Sequence, residues 1–280
     1  MADKKDIVIG VADGHGWQQI SSWALSLLES GFAGPCVFIV YDDDPDRAIV
    51  ICMLQSVGFH VIGMSRRADL ANDRFADIST VLGMLGRFLR YAIVADVGDV
   101  FFQSDPTMWL ESNLTKPFLA VSEGIRYGDG IRAQSNLRNE FPVHADRMLS
   151  NMVCNVGILA GEATAIADLC LAISMVARSS AVSHADQSAY NVLLAMEPYR
   201  STVQIVGQED GFACRAGTLA EPRHDKGSRT RSMEPRPTID ADGVKTASGE
   251  LFPIVHHASN RNMTLLRILA TSRTTASRSP

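Results

Sequence analysis

The stretch Tyr91–Pro106, YAIVADVGDVFFQSDP, carries the residues best suited to chemistry. Asp96 and Asp99 follow the apolar run Tyr91–Ala95 and are separated by Val97-Gly98. Two ionised carboxylates this close repel each other and are costly to desolvate. A divalent cation relieves both problems, and hard carboxylate oxygens suit Mg²⁺ or Mn²⁺. Gly98 lets the backbone bend so that both side chains can face one ion. On the motif alone, a strand ending in a solvated acidic turn is an equally open reading. Other reactive types stand at intervals along the chain: Asp13, Arg74, Asn155 with Gly157, Asp186-Gln187 and His256-His257. A carboxylate such as Asp13 can accept from a ligand N–H, and a guanidinium such as Arg74 can grip an anion. Each has a structural alternative. Asp13 could cap a helix, Arg74 pair at the surface, Asn155 serve a turn, Asp186 sit as a helix-start charge, and His256 be a core histidine.

The elements that must position these residues read as alternating strands and helices. Tyr91–Ala95 has no polar alternation, which fits a strand buried on both faces of a parallel-type sheet. Asp6–Asp13 and Cys36–Tyr41 read the same way, and His60–Met64 is a shorter strand. Trp17–Ser30 has its apolar residues on one helical face, and helices are expected over Asp46–Val57 and Leu70–Leu89. Strand–helix alternation implies parallel pairing with right-handed crossovers, and ligands bind beyond the carboxyl ends of such strands. Asp13, Asp42 and Asp96 all fall at such ends, although Asp42-Asp43-Asp44 reads as a solvated turn.

The second half is less regular. Strands are expected at Phe118–Glu123, Val153–Ala160 and Val203–Val206, and helices at Glu162–Ala177 and Ala185–Met196. Gly124–Met148 is polar and Gly-containing, and is expected to be a long functional loop with little regular structure. Ala220–Asp242, rich in Arg, Pro, Gly and Ser, reads as mobile. Gly243–His257 reads as a hairpin around Ser248-Gly249, and the Ser/Thr/Arg-rich tail as frayed.

Composition limits the function classes. With 280 residues, 46% hydrophobic and 20% charged, the chain has enough apolar material for one large α/β core. A net charge of −5 argues against a general nucleic-acid-binding surface. No apolar run reaches membrane-spanning length, and no secretory leader is visible; peripheral membrane contact stays open. The five cysteines match no zinc or redox spacing and read as buried free thiols of a reducing cytoplasm.

Taken together, the motifs resemble those of GT-A-fold glycosyltransferases, over roughly Asp6–Arg261. VADGHGW resembles the strand-loop that holds the nucleobase, and DVGDVFFQSDP the acidic metal motif, here D-x-x-D rather than D-x-D. CNVGILAG resembles the Asn-x-Gly strand that frames the donor sugar. HADQSAYNVLL resembles the Asp-Gln helix start of retaining transferases related to glycogenin and to lipooligosaccharide galactosyltransferases. PIVHHASNR resembles the C-terminal segment whose histidine completes the metal site.

The resemblance implies a Rossmann-like three-layer α/β sandwich with a central mixed, mostly parallel sheet. It implies one catalytic domain over 1–262, with a nucleotide-binding half (1–105), an acceptor and sugar half (106–262) and a tail (263–280). The implied activity is metal-dependent sugar transfer from a nucleotide-diphosphate sugar, UDP- ahead of GDP-, to a hydroxyl of a carbohydrate or glycoconjugate, with retention. Asp96, Asp99 and His256 would hold Mn²⁺ or Mg²⁺, with His257 the alternative to His256. Ala12, Asp13, Arg74, Asp96, Asn155 and Gly157 would contact nucleotide and sugar, and Asp186 and Gln187 would lie at the reacting sugar. An inverting enzyme with Glu123 as base, a sugar-1-phosphate nucleotidyltransferase and a non-catalytic nucleotide-sugar-binding protein are the alternatives.

Overall fold

The computed structural model describes residues 4–12, 14–66, 70–216 and 232–256. Asp13, His257, the segment 220–231 and the tail 263–280 lie outside these described residues.

The first half alternates as expected: β1 (Lys5–Ala12), α1 (Trp17–Glu29), β2 (Cys36–Tyr41), α2 (Arg47–Ser56), β3 (His60–Met64), α3 (Leu70–Leu85) and β4 (Leu89–Ala95). A single 3₁₀ turn, Gly86–Phe88, separates α3 from β4, so Leu89 belongs to the strand rather than to the helix. The second half contains β5 (Phe101–Phe102), α4 (Pro106–Asn113), β6 (Phe118–Arg126), α5 (Ile131–Glu140), α6 (Pro142–Ala145), β7 (Met152–Glu162) and α7 (Ala163–Ala177). It continues with α8 (Asp186–Leu194), α9 (Tyr199–Thr202), β8 (Val203–Val206), β9 (Ala213–Arg215), β10 (Thr238–Asp240), β11 (Gly243–Lys245) and β12 (Ile254–His256).

The central sheet has seven strands in the order β3-β2-β1-β4-β7-β6-β8. Pairing is parallel from β3 to β4 and between β6 and β8, and antiparallel on both sides of β7. The fold is therefore α/β, with a mixed, mostly parallel sheet flanked by helices. One core lies between the sheet and α3, α7 and α8, and includes Phe75, Ile78, Ile166 and Tyr190. The other lies against α1 and α2, where Trp23 sets its ring edge-on to Phe38 at 5.0 Å and to Phe102 at 5.2 Å. Each large side chain buried in these layers contributes roughly 1.5–3 kcal/mol. No helix among the described residues is long and apolar enough to cross a membrane.

Three expectations need correction. Gly124–Met148 is not a structureless loop. It ends β6, forms α5 and α6, and finishes in a 3₁₀ turn at Asp146–Met148. Leu137, Phe141, Ala145 and Met148 recur at helical spacing and pack on Tyr127, Val153 and Ala189 in a satellite core. These few apolar residues are diluted by charge, so the periodicity was hidden by composition. Thr238–Asp240, within the stretch read as mobile, pairs antiparallel with β11. Finally, Asp44 is buried rather than solvated, and its Oδ1 accepts from the Asp46 backbone N–H at 3.0 Å. The hairpin expected over Gly243–His257 is present only as a local turn. Lys245 bridges Leu251, Gly249 adopts φ 93° and its N–H donates to the Thr246 carbonyl, but β11 pairs with β10 and β12 with β5 and β9. Cys36, Cys154, Cys170 and Cys214 are buried free thiols, whereas Cys52 is exposed.

Candidate functional site

The site is built on the rim where the parallel strands end. Ala12 on β1 and Ala95 on β4 mark that rim, and antiparallel β7 passes it with Ile158 paired to Ala95. Between β6 and β7 the register jumps: Ala120 faces Leu159, but Val121 faces Asn155. The intervening residues of β7 bulge away from β6, and their backbone groups turn to other partners. The Gly157 carbonyl accepts from the Asp96 N–H at 2.8 Å. The Gly157 N–H donates to Asn155 Oδ1 at 2.7 Å, and the Val156 N–H faces Gln187 Oε1 at 3.4 Å. Asn191 on α8 grips the same strand through both the N–H and the carbonyl of Cys154. The start of α8, carrying Asp186 and Gln187, is thus fixed to the bulge.

Asp99 and His256 meet through a second, smaller sheet, β5-β12-β9. Pairing of Phe101 with Val255 and of Phe102 with Ile254 brings the acidic loop alongside the end of β12. His256 Nε2 lies 3.4 Å from Asp99 Oδ1, and the imidazole is buried. Gly157 closes the floor. A Cβ there would stand 2.6 Å from Asp96 Oδ2, 2.7 Å from His256 Cε1 and 2.9 Å from Asn155 Oδ1. The three side chains therefore converge on a spot that only glycine leaves open.

Arg74, in α3, bridges two carboxylates. Its Nη1 is 2.8 Å from Asp96 Oδ1 and its Nη2 is 3.2 Å from Asp186 Oδ2. Its guanidinium also lies over the Phe75 ring. Glu123, in the second half of β6, is the second hub. Its Oε1 accepts from Asn155 Nδ2 at 3.2 Å and from Gln187 Nε2 at 3.1 Å. Arg215 Nη1 donates to the Glu123 carbonyl at 3.0 Å, and its Nη2 is 3.5 Å from Oε2. Arg215 is brought there by β9, whose residue 215 stands opposite His256 on β12. A small recess opens between these groups, lined by Ser122, Glu123, Asn155, Arg215 and His256 among others.

Burial pushes the Asp186 carboxyl above the ordinary carboxylate range, against the opposing pull of Arg74. Asp96, Asp99, Asp186 and Glu123 face Arg74 and Arg215, which leaves two negative charges among these groups when all are ionised. Among the described residues, no group of three or more His, Cys, Asp or Glu is already gathered tightly enough to hold an ion. The donor set nonetheless fits a hard divalent ion. Carboxylate oxygens of Asp96 and Asp99, a buried imidazole and the cleared floor at Gly157 are close neighbours.

Of the residues singled out in the sequence, Arg74, Asp96, Asp99, Asn155, Gly157, Asp186, Gln187 and His256 come together. Ala12 is fully buried at the end of β1 and has only its backbone to offer. Asp13 and His257 fall outside the described residues. Both ends of the Gln187 amide are engaged, by Val156 N–H and by Glu123. Glu123, considered only as an alternative base, is central, and Arg215 was missed. A lone arginine in a three-residue strand gives no signal until the pairing of β9 with β12 is known. His15 was also passed over. Its Nε2 would stand 3.1 Å from a Cβ at Gly98, so the loop after β1 rests on the acidic loop. No protein-family model matches the chain, and no curated protein matches it.

Proposed function

We propose that this chain is a metal-dependent glycosyltransferase of GT-A type. It would move a sugar from a nucleotide-diphosphate sugar, UDP- ahead of GDP-, to a hydroxyl of a carbohydrate or glycoconjugate. The observation that carries this reading is the meeting of Asp96, Asp99, His256 and the bare Gly157 at the carboxyl rim of the sheet. Ligands of open α/β sheets bind at that rim. Asp96, Asp99 and His256 would hold Mn²⁺ or Mg²⁺, which as a Lewis acid neutralises the charge of a leaving diphosphate. The loop after β1, whose His15 rests on the acidic loop, would receive the nucleotide, and Asn155 and Asp186 would hold sugar hydroxyls. The buried free cysteines fit a reducing compartment such as the cytoplasm.

Retention is the preferred stereochemistry, because Asp186-Gln187 lies on the bulge beside Asn155 and Gly157. Inversion is the second reading, and one observation favours it: Glu123 is a partly buried carboxylate within the same hydrogen-bonded cluster. An inverting enzyme needs a carboxylate base on the acceptor side.

A thermal-shift screen of nucleotide diphosphates and their sugars, with and without Mn²⁺, tests the reading, since ligands of the native state raise its apparent stability. Metal-dependent stabilisation by UDP or GDP sugars is the expected result. Stabilisation by nucleoside triphosphates with sugar 1-phosphates would favour a nucleotidyltransferase instead, and binding without turnover would favour a binding protein. Proton NMR of the fresh product then reads the anomeric configuration.

A further inference from the structure

We infer that Arg74 is a positioning residue of the ion site. It holds Asp96 by one carboxylate oxygen, so that the other is presented toward His256 and Asn155. This inference rests on the ion-binding part of the proposed function, and it gives Arg74 a different task from contact with a phosphate or a base.

The geometry is asymmetric in a way that suits this task. Asp96 Oδ1 is taken by Arg74 Nη1 at 2.8 Å. Asp96 Oδ2 is the oxygen that overhangs Gly157, on the side of His256 and Asn155. A carboxylate on a short side chain would otherwise be free to rotate and present either oxygen. The guanidinium is planar and carries its donors in a rigid fork, so it fixes the plane of the group it binds. The second arm of the fork anchors the guanidinium to Asp186 at 3.2 Å. Asp186 starts the helix that is bolted to the β7 bulge, so the ion site and the Asp186-Gln187 pair share one support. The Arg74 and Asp186 side chains are 20% and 14% exposed, so water does little to loosen the anchoring contact, whereas the Asp96 carboxylate is 36% exposed and open on its far side. Partners that orient a metal-ligating carboxylate typically change metal affinity about 10- to 100-fold when removed.

The test is Mn²⁺ binding without nucleotide, read as loss of the free-ion signal in electron paramagnetic resonance. Wild type, Arg74→Met, Arg74→Lys, Asp186→Asn and Asp99→Ala are compared, with thermal unfolding recorded for each. Arg74→Met should weaken Mn²⁺ binding about 10-fold or more. Arg74→Lys should recover part of it, because one ammonium can hold Asp96 but lacks the fork that spans both carboxylates. An affinity that is unchanged in Arg74→Met, while its thermal midpoint falls, would show a purely structural ion pair and overturn the inference. A rise in affinity would show Arg74 to be a competitor for Asp96, and would overturn it equally. If Arg74→Met does not fold, the double variant Arg74→Met/Asp186→Asn, which removes the stranded buried carboxylate, is compared with Asp186→Asn alone under the same criteria. Loss of Mn²⁺ binding in Asp99→Ala with retention in Arg74→Met rejects the inference and keeps the site. No Mn²⁺ binding by wild type, with or without UDP or GDP, rejects both.

Discussion

Two parallel strands of the central sheet end in acidic residues, and the two ends are built differently. Beyond β2, Asp42, Asp43 and one oxygen of Asp44 are engaged by their surroundings, while Asp44 Oδ2 is buried without a hydrogen-bond partner among the described residues. Asp42 accepts from the Arg66 N–H, Asp43 pairs with the Arg66 guanidinium, and Asp44 closes the turn at Asp46. Beyond β4, the partners come from three separate elements. Arg74 is 22 residues from Asp96, no farther than Arg66 is from Asp42, but Asp186 and His256 come from the second half of the chain. Arg74 reaches Asp96 from α3, Asp186 shares it from α8, and His256 arrives at Asp99 from the last described strand. An acidic run is a structural turn when neighbours satisfy it. It becomes a candidate site when several distant elements have to converge on it and still leave a cleared floor.

Removing the arginine at each end should separate them most strongly. Arg74→Met strands the mostly buried Asp186 carboxylate and should cost about 2–4 kcal/mol in urea unfolding. Arg66→Ala breaks an exposed pair and should cost at most about 1 kcal/mol. Equal losses would erase the distinction.

Adding a methyl group sharpens the same contrast. Gly157→Ala forces Cβ against Asp96, His256 and Asn155 and should cost about 1–3 kcal/mol while weakening any Mn²⁺ binding. Gly63→Ala, on β3, meets only the flexible end of Arg47, and should stay within about 0.5 kcal/mol. A tolerated Gly157→Ala would mean that the floor needs no glycine.

The smallest effect is in pH dependence, and the two ends should differ in sign. Asp42 is held below its ordinary value, first by the Ser65 hydroxyl and then by the Arg66 N–H. Its ionised form therefore favours the native state above the unfolded pKa, and that contribution is lost as pH falls through the folded one. Asp186 is raised by burial, so the native state binds its proton more tightly. Stability then falls as pH rises from the ordinary value of 3.8 through the raised one. Denaturant midpoints between acid and neutral pH should show Asp186→Asn gaining on wild type as pH rises, and Asp42→Asn falling slightly behind. The same sign for both would contradict the electrostatic assignment.

Much of the first half was legible because its signals are local. The uninterrupted apolar runs of β1, β2 and β4 leave little choice of element, and a carboxylate after such a run must stand at a strand end. The second half depends on tertiary context. Leu137, Phe141, Ala145 and Met148 form a helical face only against a satellite core that the sequence does not announce. The candidate site divides the same way. Asp96, Asp99, Asn155 and Asp186 could be read from motif and position. Glu123 and Arg215 could not, because their meeting depends on the β6–β7 register jump and on β9 pairing with β12.

The central claim is that the β4 end, unlike the β2 end, is a divalent-ion site that supports nucleotide binding. Isothermal titration of UDP and GDP in Mn²⁺ and in EDTA, with wild type, Asp99→Ala and Asp43→Ala, tests it most directly. Binding in wild type and Asp43→Ala should strengthen about 10-fold or more with Mn²⁺, and Asp99→Ala should lose most of that gain. Equal affinity in Mn²⁺ and EDTA for both nucleotides, or an undiminished metal effect in Asp99→Ala, would contradict it.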